Sequence, residues 1–326
     1  MIKPKVSVVI LVYNSELYIE RCARSLFKQT LSEIEYIFIN DCTQDSSIDI
    51  INSVLLEFPQ RQNQVRIINL SKNVGQAAAR KIGITESTGE YIIHCDSDDW
   101  VEHNAYQLLY NNACMNNADL VFHDYFISDG LNHKEIKTNL NLLSQEEILK
   151  STLNGTVKGS LWLVLVKTDL YKHSKFVFPT GNMTEDSTMI IQLIDIAQII
   201  NYIPKALYYY YLNPNSISHS ISKNKCLNRF YDCVTNTKLL EDYLRKNHLQ
   251  NYEEDLLLKK LDSINQLIPC IHHNTYYNLW KSAFPNLYKE VYKNNKMGII
   301  KKIKFYMTYH RLYPIWHWLC GYSFAE

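Results

Sequence analysis

The chain of 326 residues is 46% hydrophobic and 21% charged, which excludes wholesale disorder and supplies a core for one large domain or two modest ones. A net charge of +1 gives no electrostatic footprint for a nucleic-acid partner. The eight cysteines include no C-x-x-C pair, so they read as free thiols of a reducing compartment and not as a disulfide framework.

The first apolar run, Val6–Val12, has only seven residues, too few for a signal peptide's apolar region. No stretch reaches the length of a membrane span. A cytoplasmic protein is therefore expected. Val6–Val12 is almost continuously apolar and β-branched, as in a strand buried on both faces of a parallel sheet. Tyr13-Asn14-Ser15-Glu16 follows and leads into a helical pattern at Ile19, Cys22, Ala23, Leu26 and Phe27. Tyr36-Ile37-Phe38-Ile39 is a second strand, ending in the polar loop Asn40-Asp41-Cys42-Thr43-Gln44-Asp45-Ser46-Ser47 before another helix. A third strand, residues 65–70, turns through Asn73-Val74-Gly75 into the small-residue helix Gln76-Ala77-Ala78-Ala79-Arg80. These units predict an α/β fold with a mostly parallel sheet and right-handed crossovers. The loops after strands one, two and four then share one sheet end.

The fourth strand, residues 90–95, runs into Asp96-Ser97-Asp98-Asp99. Three carboxylates within four residues repel one another unless a cation or other partners relieve them. Carboxylates are hard ligands, suited to Mg²⁺ or Mn²⁺. Ligands of an open parallel sheet bind outside the carboxyl ends of its strands, where this cluster falls. Beyond it the pattern predicts a helix at 104–116, a strand at 119–126, an exposed loop at 128–141 and a strand at 161–166. A turn-rich segment then precedes Glu185-Asp186 and a helix at 187–197, and a strand lies within 199–211. From about residue 221 the chain reads as helices, with periodicity at 230–244, 256–267 and 276–292. Its last thirty residues mix lysines with aromatic residues, a pattern suited to a membrane surface.

Taken together, Val6-Ser7-Val8-Val9-Ile10 through Glu16, Asn40 through Ser46, Asn73-Val74-Gly75 with Ala79-Arg80, Gly89-Glu90-Tyr91 through Asp99, and Glu185-Asp186 resemble family 2 glycosyltransferases of the GT-A fold. The resemblance is strong over residues 1–110, moderate to about 220 and absent beyond. It implies a nucleotide-sugar-binding and catalytic domain at 1–220, while the helical periodicity beyond marks 221–326 as a helical region expected to be associated with acceptor or membrane.

By the same resemblance, the reaction is metal-dependent, inverting transfer from a nucleotide-sugar, a UDP-sugar first, to a hydroxyl of a glycan or lipid-linked acceptor in bacterial surface-polysaccharide synthesis. The enzyme is expected to be of hexosyl- or N-acetylhexosaminyltransferase type. Val12, Tyr13, Glu16, Asp41, Arg80, Asp96, Ser97 and Trp162 are the implied donor-binding residues. Tyr13 packs on the base, and Asp41 accepts from a uracil N–H, as an ionised carboxylate can. Asp98, with Asp96 and His219, is implied to hold Mn²⁺ or Mg²⁺, which neutralises the leaving diphosphate. Asp186 is the implied general base, with Glu185 beside it.

There are departures from the family pattern. Cys42 stands where the family usually has glycine, so a differently shaped loop is expected. Trp162-Leu163-Val164 lacks the lysine of a Trp-x-Lys pattern, and Leu212 stands where relatives carry arginine after a tyrosine. The competing classes are a nucleotidyltransferase and a non-catalytic nucleotide-sugar-binding module. The first is disfavoured because Val12-Tyr13-Asn14-Ser15-Glu16 has neither glycine nor lysine. The second is disfavoured by the presence of Asp96, Asp98 and Asp186.

Overall fold

The computed structural model describes residues 3–213, 223–247, 250–295 and 297–312. His219 and the aromatic residues beyond 312 lie outside the described residues. The chain divides into two compact units. The first holds residues 1–152, 157–180 and 185–215, and the second holds 153–156, 181–184 and 216–326.

The first unit is built on a mixed nine-stranded sheet. Its parallel part comprises β1 (Val6–Val12), β2 (Ile34–Asn40), β3 (Val65–Asn69) and β4 (Tyr91–Asp96), in the order β3-β2-β1-β4. The apolar run of β1 explains its central place, since Val6, Val8, Val9, Ile10 and Val12 are all fully buried. The helices between these strands are α1 (Ile19–Phe27), α2 (Ser47–Leu56) and α3 (Gln76–Glu86). Small residues let α3 lie close to the sheet. A Cβ added at Gly83 would stand 2.4 Å from Val9 Cγ1.

Beyond β4 the sheet changes direction. β8 (Val164–Lys167) pairs antiparallel with β4 and with β6 (Leu120–Ser128). β6 runs parallel to the long β9 (Ile200–Tyr211), and β5 (Trp100–Val101) closes that edge antiparallel to β9. The helices of this half are α4 (Ala105–Asn116), α5 (Gln145–Leu153) and α6 (Glu185–Ile196). Elements of this unit differ from the sequence reading. Residues 128–141 contain β7 (His133–Ile136), a hairpin partner of β6. Leu161–Leu163 is a 3₁₀ turn, and the strand begins only at Val164. The helix expected at 187 starts at Glu185.

The second unit is helical: α7 (Lys223–Lys246), α8 (Glu253–Asn265), α9 (Asn274–Ser282), α10 (Leu287–Lys293) and α11 (Ile299–Tyr309). The single helical pattern read at 276–292 is two helices, because Pro285 cannot supply an interior N–H. Phe230, Leu257, Ile264, Trp280 and Phe305 form its core. Lys260 is buried among them, and its ammonium donates to Glu241 at 2.9 Å and to Glu290 at 3.0 Å. Asn236 of α7 ties down the 181–184 segment by donating to the carbonyls of Gly181 and Met183 at 2.9 and 2.8 Å.

Candidate active site

Because β1, β2 and β4 are parallel and in register, their carboxyl ends deliver three loops to one place. The loops clasp one another before any ligand is considered. The Glu16 N–H donates to Asp45 Oδ2 at 2.9 Å, and the Ser46 N–H returns a bond to Glu16 Oε2 at 3.1 Å. Ser15 and Ser97 hydroxyls lie 2.6 Å apart, joining the loop after β1 to the acidic turn. Val12 is buried and offers its carbonyl to the Asp41 N–H, while the Tyr13 ring is 46% exposed at this end.

Asp41 is buried and accepts from the N–H groups of Val74 at 2.7 Å and Gly75 at 3.0 Å. It therefore fixes the β3–α3 turn, and each of its oxygens retains a second lone pair. Cys42 takes φ 60°, the left-handed region that glycine enters freely. The turn forms there in spite of the side chain, at a cost on the order of 1–2 kcal/mol.

The three acids of the turn differ in their surroundings. Asp99 is buried, accepting from the Tyr208 hydroxyl at 2.6 Å and the Tyr211 N–H at 2.7 Å. Tyr208 also accepts from the Asp96 N–H at 3.0 Å, so it holds the turn's two ends together. Asp99 is thus a structural acid. Burial, then the charges of Asp98 and Asp96, push its pKa well above the ordinary carboxylate value. Asp98 accepts from Asn213 at 2.9 Å through Oδ2. Its pKa is also raised, by burial first and by Asp96 second. Asp96 accepts from Arg80 through Oδ1 at 3.2 Å.

Arg80 does not extend to solvent. It is 5% exposed and donates from Nε to Glu185 Oε1 at 3.1 Å as well as to Asp96. Its third contact is His94 Nδ1 at 3.4 Å. Despite burial, the charges of Asp96, Glu185 and Asp186 hold Arg80 above its ordinary pKa. His94 is buried beside it and kept well below the ordinary histidine value, by burial first and by Arg80 second. Arg80 thus couples the end of β4 to the first turn of α6, two elements about ninety positions apart in sequence. Glu185 is 3% exposed, and burial with the neighbouring Asp186 raises its pKa to about 8 against the pull of Arg80. Asp186 is only partly buried, with Oδ1 accepting from the Ser187 N–H at 2.7 Å.

Trp162 is 2% exposed and stacks on Tyr208 with centroids 4.4 Å apart and planes 6° from parallel. Its ring supports the tyrosine that braces the acidic turn. The two-residue period of β9 puts Tyr208 and Tyr210 against Trp162 and puts Tyr209 and Tyr211 against Trp100. Sequence reasoning passes over Tyr208 and His94, whose only signal is their place on strands next to the acids. It also passes over Lys158, whose ammonium lies 3.8 Å from the centroid of Tyr210.

The donor set suits a hard cation. Among the described residues, no group of three or more His, Cys, Asp and Glu side chains is arranged to hold a metal. Magnesium-type sites, however, use one or two carboxylates and complete their shell with substrate phosphates and water. Asp96 Oδ2 and Asp98 Oδ1 remain available for that role, and the mutual repulsion that raises Asp98 is what a cation relieves.

Residues 7–172 match the family model described as Glycosyl transferase family 2. EpsH of Bacillus subtilis is 29% identical over 260 residues, covering 78% of this chain and 73% of its own. Among solved structures, the fold is similar to Staphylococcus aureus TarS 1–349 in complex with UDP-GlcNAc. That match has a TM-score of 0.58 and 18% identity, covering 89% of this chain and 91% of that one. It is also similar to the mannosyltransferase PcManGT of Pyrobaculum calidifontis in complex with GDP-Man and Mn²⁺, with a TM-score of 0.51, 13% identity, and 95% and 80% covered. With the α/β fold, the loop-borne acids and more than half of the sequence matching the family model, the chain belongs to glycosyl transferase family 2 and is a glycosyltransferase.

Proposed function

We propose that this glycosyltransferase moves a hexosyl or N-acetylhexosaminyl group from a nucleoside-diphosphate sugar, a UDP-sugar first, to a hydroxyl of a glycan or lipid-linked saccharide, inverting the anomeric centre. The observation that carries the reading is the Arg80 bridge from Asp96 to Glu185, which ties the acidic turn to the helix whose first turn carries Asp186. The donor end belongs to the loops after β1 and β2. The exposed Tyr13 ring packs on the base, Asp41 offers its remaining lone pairs to a base N–H, and Glu16 and Ser97 hold the loops in place. Asp98 with Asp96 would hold Mn²⁺ or Mg²⁺, which would supply positive charge to offset that of the leaving diphosphate. Asp186 takes the acceptor hydroxyl's proton as the new bond forms. Glu185 fixes Asp186 through Arg80, and Trp162 acts through Tyr208. TarS in complex with UDP-GlcNAc and PcManGT in complex with GDP-Man and Mn²⁺ support a nucleotide-sugar donor and a divalent ion. A cytoplasmic site of action, at the inner membrane face, fits a donor of this kind.

The test is a panel of UDP- and GDP-sugars incubated with saccharide acceptors. Release of the nucleoside diphosphate should require a donor and an added divalent ion, stop with EDTA and rise with acceptor. Release of pyrophosphate from a nucleoside triphosphate and sugar phosphate would establish the nucleotidyltransferase alternative. Tight binding with no turnover on any acceptor would establish a binding module.

A further inference from the structure

We propose that Lys158 contacts the β-phosphate of the donor and receives the charge of the leaving diphosphate. The inference rests on the nucleotide-sugar reading above.

Lys158 sits in an aromatic corner. Its ammonium is 3.8 Å from the Tyr210 centroid, 4.8 Å from Trp162 and 5.4 Å from Tyr125. These rings fix the side chain, and the fields of Asp186, Asp99 and Asp96 act on its charge, Asp186 most strongly. Among the described residues it forms neither a salt bridge nor a hydrogen bond. The other cations here are engaged. Arg80 is bound to Asp96 and Glu185. Arg21 lies between the rings of Trp100 and Tyr211, 3.7 and 4.6 Å from their centroids, and donates to the Asp98 carbonyl. Tyr211 alternates with Tyr210 along β9, and Trp100 of β5 packs on the Tyr209 and Tyr211 side, so Arg21 and Lys158 lie on different faces of β9.

A diphosphate entering a space faced by carboxylates is repelled. An ammonium with three donors, held by aromatic rings and, among the described residues, by no carboxylate, offsets that repulsion, and partial burial strengthens the attraction relative to water. Burial lowers the pKa of Lys158 while the three carboxylates oppose the shift. An arriving phosphate opposes it further, so donor binding favours the charged form. Because Asp186, the proposed base, exerts the strongest of the three fields on it, the ammonium is assigned to the sugar end of the donor, next to the β-phosphate and the bond that breaks. On cleavage of the anomeric C–O bond the electron pair goes to that phosphate oxygen, where the ammonium stabilises it.

Lys158→Met keeps the aliphatic stem and removes the charge. By calorimetry with Mn²⁺, UDP affinity should fall by about tenfold or more, the scale of a lost charged hydrogen bond. UMP affinity should stay near wild type, because UMP lacks the β-phosphate. Lys158→Arg should restore most UDP binding, and Lys158→Gln should behave like Lys158→Met, which controls for poor folding of either variant. Unchanged UDP affinity in Lys158→Met, or equal losses for UDP and UMP, would overturn the assignment. A wild-type chain that binds neither UDP nor GDP overturns the donor reading and this inference together, whereas normal wild-type binding with no effect at Lys158 overturns the inference alone.

Discussion

Glu185 and Asp186 are adjacent acids in unlike surroundings, and that contrast assigns their work. Glu185 is buried against Arg80, while Asp186 is only partly buried and its charge acts on Lys158. Asp186→Asn keeps size and removes basicity. UDP affinity should stay near wild type while transfer falls at least about a hundredfold, within the usual contribution of a general base. Near-normal turnover in that variant, with loss in Glu185→Gln, would move the base by one residue. Glu185 also makes a stability prediction. Its folded pKa, about 8, lies above its ordinary 4.5. A group raised in this way contributes its full stabilisation below the unfolded value and loses it as pH rises through the folded one. The wild-type Tm should therefore decline relative to Glu185→Gln between about pH 4.5 and 8, measured by calorimetry across that range. A constant difference in Tm would show that Glu185 stays ionised throughout, held by Arg80.

At the scale of elements, the packing of α3 on the sheet decides where Arg80 points. Gly83 is one turn beyond Arg80, and a Cβ there would meet Val9 Cγ1. Gly83→Ala should lower Tm, because overpacking costs about 1–3 kcal/mol against about 1 kcal/mol gained in helix propensity. Adding Val9→Ala should recover part of the loss, since the two changes share one space. Additive losses in the double variant would refute the contact as the cause. The parallel half of the sheet was legible in the sequence because strands buried on both faces are written as apolar runs, and the loops between them carry distinct residues. The same pattern led to the Asp96–Asp99 turn, and the resemblance to family 2 glycosyltransferases pointed to Asp186. The antiparallel half was less legible. β7 is an exposed edge whose His133-Lys134-Glu135-Ile136 has no buried alternation, and the pairing of β4 with β8 joins segments some seventy residues apart. Arg80 was identified, but not its burial, because a helix pattern does not say which strand end faces it. Lys158 was missed for a similar reason, since its cage is assembled from β6, β9 and the turn before β8.

Across the whole molecule, the helical unit raises the question of where the acceptor is met. Among the described residues no helix is long and apolar enough to cross a membrane. α11 nonetheless leaves an apolar strip uncovered. Ile299, Ile300, Ile303 and Tyr306 are 69, 66, 44 and 50% exposed, while Phe305 and Thr308 on the other side are buried. Lys301, Lys302 and Lys304 flank the strip. Apolar residues on one side with lysines beside them suit an interface of anionic lipid, where buried area and charge attraction add. We propose that this strip brings the enzyme to the membrane that carries a lipid-linked acceptor. Removing the helix is a poor test, because Phe305 packs on Trp280 with centroids 5.3 Å apart and its loss would damage the core of the unit. Replacing Ile299, Ile300 and Ile303 together by serine spares that contact. Co-sedimentation with phosphatidylglycerol-containing liposomes should fall in the triple variant at low salt, while Tm and turnover on a soluble acceptor stay near wild type. Replacing Lys301, Lys302 and Lys304 by glutamine should weaken the same binding and reduce its dependence on ionic strength. If the unaltered 326-residue chain stays in the supernatant with anionic liposomes at low salt, the membrane role is refuted, and the strip must then be assigned to a protein surface.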